Sequence, residues 1–444
     1  MYMLLIWNSF FLCFSVFSVS QILHCSMKTC LTILCLVITS ISYSQVDTTQ
    51  KIISGRKNSV VQQQKPYVIL ISSDGFRYDY ARKYNAQNLL ELSKNGVRAK
   101  SMQPSFPSLT FPNHYTVVTG LYPSHSGLVG NGFYDRSTSE RYSMYDSNSV
   151  TNGSKYGGIP LWVLAEEQQM LSASFYWVGS EAPIRNTRPT YYYRYNEKIS
   201  IEKRIQIVID WLRLPEDVRP HMITFYMPET DHVGHDYGPD APQTKEAVLF
   251  VDKAIKDLTD AVQATGLPVN FIFLADHGMS NVNTAKPVIL SAEIDSTKYV
   301  KIPGSQLYQI YAIDKKNVDP LYRVLKNGQN GYKVYLKKDM PRRFKYRPKD
   351  DVYNRIGDIV ILPDWPNVIK FSDRKIKPGA HGYDPYKIKE MHSVFYAWGP
   401  AFRKGVEVNT FNAIHVYPLI TEILGLNVTQ KIDGRKILAR KMLK

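Results

Sequence analysis

Three stretches of the chain are apolar without interruption and of strand length: Tyr67–Ser73 (YVILISS), His221–Met227 (HMITFYM) and Asn270–Ala275 (NFIFLA). A strand apolar at nearly every position predicts burial on both faces, as in the middle of a parallel sheet. Around these runs the pattern changes period. Ala86–Asn95 and Ile199–Arg213 are amphipathic at helical spacing, and Ile159–Gln169 and the longer Thr244–Thr265 also read as helices. Ser174–Val178 reads as a further strand. The alternation predicts an α/β domain with a largely parallel central sheet flanked by helices. From about Ile289 to Lys375 the text turns short-stranded, basic and Tyr-rich, with turns at Asn327-Gly328, Asn330-Gly331 and Pro363-Asp364. This predicts a small α+β insertion over residues 289–375 within a main domain of residues 65–440. The main pattern resumes near Lys377, with a strand at Ser393–Trp398 and a helix at Val416–Leu424.

The amino-terminal end is of another kind. Two apolar runs, Met3–Phe17 and Leu31–Ile41, flank Met27-Lys28. Neither reaches the roughly 20 apolar residues of a spanning helix. Read from Met27, MKTCLTILCLVITSISYSQ has a basic start, a short apolar core and small residues ending at Ser44, the layout of a signal peptide. Residues 1–45 are therefore read as an upstream extension plus signal peptide with its start at Met27; a single longer signal anchor is the alternative. Residues 46–64 are polar and read as a linker. The four cysteines, Cys13, Cys25, Cys30 and Cys35, all lie in the leader, so the mature chain is expected to have no disulfide and no thiolate metal site. An exported protein of this kind suits a bacterial periplasm or outer surface. The net charge of +16 is scattered rather than grouped along one element. It predicts a solvated basic surface that attracts small anionic substrates, with no stable nucleic-acid partner.

Candidate chemistry begins in Pro104–Asp135, PSFPSLTFPNHYTVVTGLYPSHSGLVGNGFYD. Thr110 stands between Pro107 and Pro112, each of which fixes its own φ and steers the residue before it away from helix. A hydroxyl held there, at the head of a helix whose backbone N–H groups favour an anion, suits a nucleophile. A Ser/Pro-rich surface loop ahead of a buried helix would read the same way. The acids and histidines elsewhere decide between the two. Asp74, Asp231 and Asp276 stand at or just beyond the ends of the three apolar runs, where open α/β sheets place their ligands. His235 lies four residues after Asp231, so one helical turn puts both on one face, and His277 directly follows Asp276. His381 completes the set. Oxygen and nitrogen donors without sulfur suit two zinc ions.

These segments resemble the nucleotide pyrophosphatase/phosphodiesterase family of the alkaline phosphatase superfamily. The motifs are LISSDGFRYDY, LTFPNHYTVVTGLYPSHSG, YWVGSE, PETDHVGH, LADHGM, and PGAHGYD followed by MHSVFYAWGPAF; the likeness runs from about Pro66 to Gly425. The resemblance implies an alkaline-phosphatase-like core. It implies one zinc on Asp231, His235 and His381, and another on Asp74, Asp276 and His277 with Thr110 as the open-site ligand. It further implies a phosphodiesterase that forms a phosphothreonine intermediate on Thr110 and releases nucleoside 5′-monophosphate; the signal pattern makes it an exported one. Asn131 would hydrogen-bond a phosphoryl oxygen. Phe111 and Tyr195, with Tyr226 at the rim, would form a slot for the base. The Cys-or-Ser-x-Pro-x-Arg signature of the superfamily's sulfatases does not surround Thr110.

Other readings stay open at this stage. A phosphomonoesterase of the same fold would need cations near the phosphoryl group, for which Arg185 and Arg188 are the nearest in sequence. A choline-phospholipid phosphodiesterase would need an aromatic cage with an acid, for which Glu181 is the candidate. A catalytically silent binding protein would keep the cleft without turnover. His114, His125, His232, His392 and His415 are assigned to structural or ligand-orienting roles; His232 stands between two ligands.

Overall fold

The computed structural model describes residues 48–444; the leader, its signal-peptide reading and its four cysteines lie outside them. Among the described residues the main sheet has nine strands. In chain order they are β1 (Lys51–Ile52), β2 (Tyr67–Ser73), β3 (Val97–Ala99), β4 (Ser172–Phe175), β5 (Tyr191–Tyr193), β6 (Met222–Met227), β7 (Val269–Leu274), then β12 (Phe395–Trp398) and β13 (Val406–Val408), with β8–β11 in the insertion described below. Their spatial order is β1-β5-β4-β6-β2-β7-β12-β3-β13. The five strands from β5 to β7 are mutually parallel, whereas β12 runs against both of its neighbours and β1 against β5.

Every residue of β2 is buried, and the reason is visible on its two faces. Val68 and Leu70 pack into a core with the helices α2 (Thr110–Thr119), α3 (Leu161–Glu167) and α8 (Val416–Leu424). Tyr67, Ile69 and Ile71 pack into a second core with α4 (Ile201–Leu212) and α6 (Pro242–Gln263). A strand between two helical layers has no polar face, so its sequence is a continuous apolar run. On the second side α1 (Gln87–Lys94) also contributes Leu89.

Of the polar segment 46–64, expected as a linker, the described residues from 48 onward are part of the fold. Lys51 and Ile52 pair with Tyr192 and Tyr191 at the sheet edge, Trp211 Nε1 donates to Gln50 Oε1, and Ser59 caps a short helix at Val60–Gln63. An edge strand is held by backbone pairing and needs no apolar sequence, which is why composition did not reveal it. The strand expected at Ser174–Val178 runs instead over Ser172–Phe175 and stops where Tyr176 turns to a φ of 59°.

Residues 299–363 build a separate antiparallel sheet of β8 (Tyr299–Ile302), β9 (Tyr308–Ala312), β10 (Tyr332–Leu336) and β11 (Ile359–Pro363), in the order β8-β9-β11-β10. The helix α7 (Val318–Asn327) buries Leu321 and Leu325 against it, closing an apolar core of its own. No helix among the described residues is long and apolar enough to cross a membrane.

Candidate active site and metal centre

Register brings the three acids together. Ser73 at the end of β2 pairs with Met227 of β6, and Ser72 pairs with Leu274 of β7. Asp74, the turn leading to Asp231, and Asp276 therefore leave the sheet side by side. The turn after Asp74 depends on glycine: Gly75 has a φ of +68°, and a Cβ there would come within 3.0 Å of the Asp231 Cα. Asp231 and His235 sit on α5 (Glu229–Tyr237), one turn apart, with His235 Nε2 3.5 Å from Asp231 Oδ1. His381 arrives on a loop that crosses α5 at Gly379, where a Cβ would fall 1.9 Å from the Gly234 carbonyl oxygen.

Thr110 is the first residue of α2 and is buried. The turn before it is tied down by Asn113, whose side-chain amide donates to the carbonyls of Pro107 and Leu109 while its oxygen accepts the Ser105 N–H. The Thr110 hydroxyl lies 3.3 Å from His277 Nε2. His277 Nε2 in turn is 3.4 Å from Asp74 Oδ1 and 2.8 Å from Asp276 Oδ2.

The side chains form two adjoining groups of donors: Asp74, Asp276 and His277, and Asp231, His277 and His381. His277 stands between them, its ring stacked on His381 with centroids 3.5 Å apart. His235 lies beside the second group, with its Nε2 3.1 Å from that of His381. The expected division placed His235 with Asp231 and His381; in the structure it touches both, at the more exposed edge.

These residues fit divalent cations. His235, His277 and His381 each direct Nδ1 at a backbone carbonyl, of Gly379, Gly278 and Ser108 respectively. A carbonyl only accepts, so each Nδ1 carries a proton and each Nε2 is the ring atom left to face the centre, the orientation of a metal-binding imidazole. Asp74 Oδ1, Asp231 Oδ1 and Asp276 Oδ2 are buried with no hydrogen-bond partner, and an unpartnered buried carboxylate oxygen is costly unless a cation meets it. The electrostatics agree. Burial, then the Asp276 and Asp231 carboxylates, push Asp74 well above the usual carboxylate range. Burial acts to raise Asp276 too, but His114 and His277 hold it well below. Burial and the neighbouring His277 press His381 down to about 3.

Of the proposed substrate contacts, Asn131 is fixed in orientation: its Oδ1 accepts the Phe111 N–H at 3.0 Å, which leaves its NH₂ free to donate. The Phe111 N–H is thereby used and cannot itself serve a phosphoryl oxygen. Tyr195 is about half exposed and meets Tyr226 edge-on at 5.9 Å. Tyr226, expected at the rim, has a further contact. Its hydroxyl donates to Asp74 Oδ2 at 2.6 Å, so it holds a ligand carboxylate and offers only its ring to the slot. Glu181 accepts the Tyr195 N–H at 2.8 Å. Arg185 turns away to Glu167, and Arg188 donates to the Glu181 carbonyl.

Among the remaining histidines, His125 pairs with Asp433, His392 bonds Ser101 and the Pro385 carbonyl, and His415 accepts the Arg435 N–H. His232 points outward to Glu197. His114 is the one that reaches the centre, 3.3 Å from Asp276. Its spacing of four from Thr110 was the available signal.

The profile of a family described as type I phosphodiesterase / nucleotide pyrophosphatase matches residues 68–384. The human bis(5′-adenosyl)-triphosphatase ENPP4 is 35% identical over 381 residues, 84% of this chain and 82% of that protein. Human ectonucleotide pyrophosphatase/phosphodiesterase family member 1 is 34% identical over 378 residues, and there the chain spans only 40% of the relative's length. Among solved structures, murine ectonucleotide pyrophosphatase/phosphodiesterase 5 superposes with a TM-score of 0.79 at 30% identity, over 85% of this chain and 100% of that one. The same murine protein is also known as an inactive threonine-to-alanine variant in complex with AMP, with a TM-score of 0.79 at 29% identity over 86% of this chain and 100% of that one.

Proposed function

The chain belongs to the type I phosphodiesterase / nucleotide pyrophosphatase family, with its alkaline-phosphatase-like fold, and from that premise we propose that it hydrolyses nucleotide phosphodiester or pyrophosphate bonds through a covalent intermediate on Thr110. The observation that carries this reading is the Thr110 hydroxyl at the head of α2, 3.3 Å from His277 Nε2, which itself lies 3.4 Å from Asp74 and 2.8 Å from Asp276.

Two divalent cations, zinc by the donor set, would be held by Asp74, Asp276 and His277 beside Thr110 and by Asp231, His235 and His381 beyond, supplying Lewis acidity and a lowered hydroxyl pKa. The chain's own residues do the rest. Thr110 Oγ attacks phosphorus, the bond to the leaving group breaks, and a nucleotidyl-threonine results. Water then attacks the same phosphorus and restores the Thr110 hydroxyl, releasing nucleoside 5′-monophosphate. The Asn131 NH₂, aimed by the Phe111 N–H on its oxygen, donates to a non-bridging oxygen whose charge grows in each step. Phe111 and Tyr195 flank the base, and stacking of this kind tolerates any base.

Nucleotides are favoured over choline lipids because one similar protein is known in complex with AMP and another is a bis(5′-adenosyl)-triphosphatase. Diesters are favoured over monoesters because Arg185 and Arg188 are engaged elsewhere. The signal pattern from Met27 supports export, to a periplasm or the exterior. Thr110→Ala is expected to abolish diester hydrolysis while zinc content stays near that of the parent. Retained turnover in a metal-loaded variant would remove Thr110 from the nucleophile's role.

A further inference from the structure

His114 is fully buried and has no part in the chemistry just described, yet its ring joins three elements of the site. Nδ1 lies 3.1 Å from the Thr110 carbonyl oxygen, one turn back on α2, and 3.3 Å from Asp276 Oδ2 beyond β7. Nε2 lies 2.8 Å from Ser72 Oγ on β2, two residues before Asp74. Both neighbours of Nδ1 are acceptors, so Nδ1 carries a proton. Ser72, as a hydroxyl, can exchange a hydrogen bond with Nε2. The N–H is aligned on the Thr110 carbonyl, while Asp276 Oδ2 meets its positive edge without hydrogen-bond alignment. The ring itself is walled by Trp177 and Tyr226, edge-on at 5.2 Å each, and Trp177 Nε1 donates to the His114 carbonyl.

We propose that His114 is a positioning residue that sets the distance between the Thr110 nucleophile and the Asp74/Asp276 ligand group, by pinning the first turn of α2 to β2 and to the Asp276 carboxylate. The inference rests on the reading of Thr110 as nucleophile and of the acids as metal ligands. Thr110 heads its helix without a side-chain cap from Leu109, so the imidazole bond to its carbonyl is a direct lateral restraint on that residue. Partners that orient ligating groups from behind typically matter by about 10–100-fold in metal affinity or activity when removed.

The substitutions that test this separate packing from positioning. His114→Phe keeps the ring volume between Trp177 and Tyr226 but has no N–H. His114→Asn loses volume but places an amide N–H where Nδ1 stood. In zinc-loaded protein, His114→Phe should lower kcat by about 10–100-fold with KM within about threefold of the parent, and chelator competition should find zinc held about tenfold or more less tightly. His114→Asn should recover most of both. Equal values for the two variants, whether both normal or both poor, would overturn the proposal, since the N–H then makes no difference. Should either variant fail to fold, Ser72→Ala decides: it removes the Nε2 partner and leaves the ring in place, so kcat and zinc affinity should both fall, and parental values of both overturn the assignment. Loss of Thr110-dependent turnover is read separately, in Thr110→Ala, so failure of the underlying reading and failure of the His114 proposal are distinguishable.

Discussion

Asn131 has two bonds to make, and two substitutions can take them apart. Its Oδ1 accepts the Phe111 N–H at 3.0 Å, and its NH₂ is assigned to the phosphoryl oxygen. Asn131→Ala removes both. Loss of one donor to a developing oxyanion costs about 10²–10³ in kcat, or about 2.7–4 kcal/mol. The orphaned Phe111 N–H adds a stability loss toward the lower end of about 1–3 kcal/mol, because Phe111 is only partly buried and water can replace the lost acceptor. Asn131→Asp keeps the acceptor and replaces the donor by a carboxylate oxygen. Its melting temperature should therefore stay near that of the parent, while kcat falls at least as far as in the alanine variant, since an anion now faces an anion. The assay is turnover of a nitrophenyl nucleotide ester at saturating substrate, with a thermal melt of each protein. An Asn131→Asp enzyme that keeps more than a tenth of the parental kcat would refute the assigned donor, and one that melts as early as Asn131→Ala would refute the assigned acceptor.

Tyr195→Ala should reduce nucleotide turnover about ten- to a hundredfold, the loss of one stacking contact of about 1–3 kcal/mol, and spare bis-nitrophenyl phosphate, which has no base; equal losses on both substrates would make Tyr195 a structural residue. Acid stability has its own marker in Asp135, bonded to Arg355 at 2.8 Å and near Lys155 at 3.3 Å. Burial acts to raise its carboxyl, but the Ser137 hydroxyl, Arg355 and Lys155 bring it down to about 2. Against an unfolded value of about 3.9, its contribution is complete above about pH 4 and is lost as pH falls toward 2. Asp135→Asn should then melt below the parent at pH 7, with the gap closing between pH 4 and pH 2; a gap independent of pH would contradict the pairing.

What the sequence disclosed and what it hid follow from the range of each interaction. Tyr67–Ser73 was legible because two helical layers cover both faces of β2, which makes Tyr67–Ile71 apolar at every position and leaves only small serines at its end. Asp74, Asp231 and Asp276 were legible as a group because each stands just past an apolar strand, and parallel strands end together. The direction of β12 was not legible, since a buried strand has the same composition whichever way it runs. The bond from Tyr226 to Asp74 was not legible, because it depends on the β2–β6 register that sets Tyr226 opposite Ser72, for which nothing local signals. The Asp135–Arg355 pair joins residues 220 apart and leaves no trace in either neighbourhood. The role of His114 was within reach, because a helical turn separates it from Thr110, but only the Asp276 contact gives that spacing a meaning.

The central claim is that Thr110 attacks phosphorus and water acts only afterwards, and the stereochemical course of hydrolysis tests it most directly. Each in-line displacement inverts phosphorus. A nucleoside 5′-phosphorothioate ester, chiral at phosphorus and hydrolysed in isotopically labelled water, should therefore give product with net retention, the outcome of two displacements. Net inversion would mean that water attacks the substrate directly, and would leave Thr110 without its assigned role.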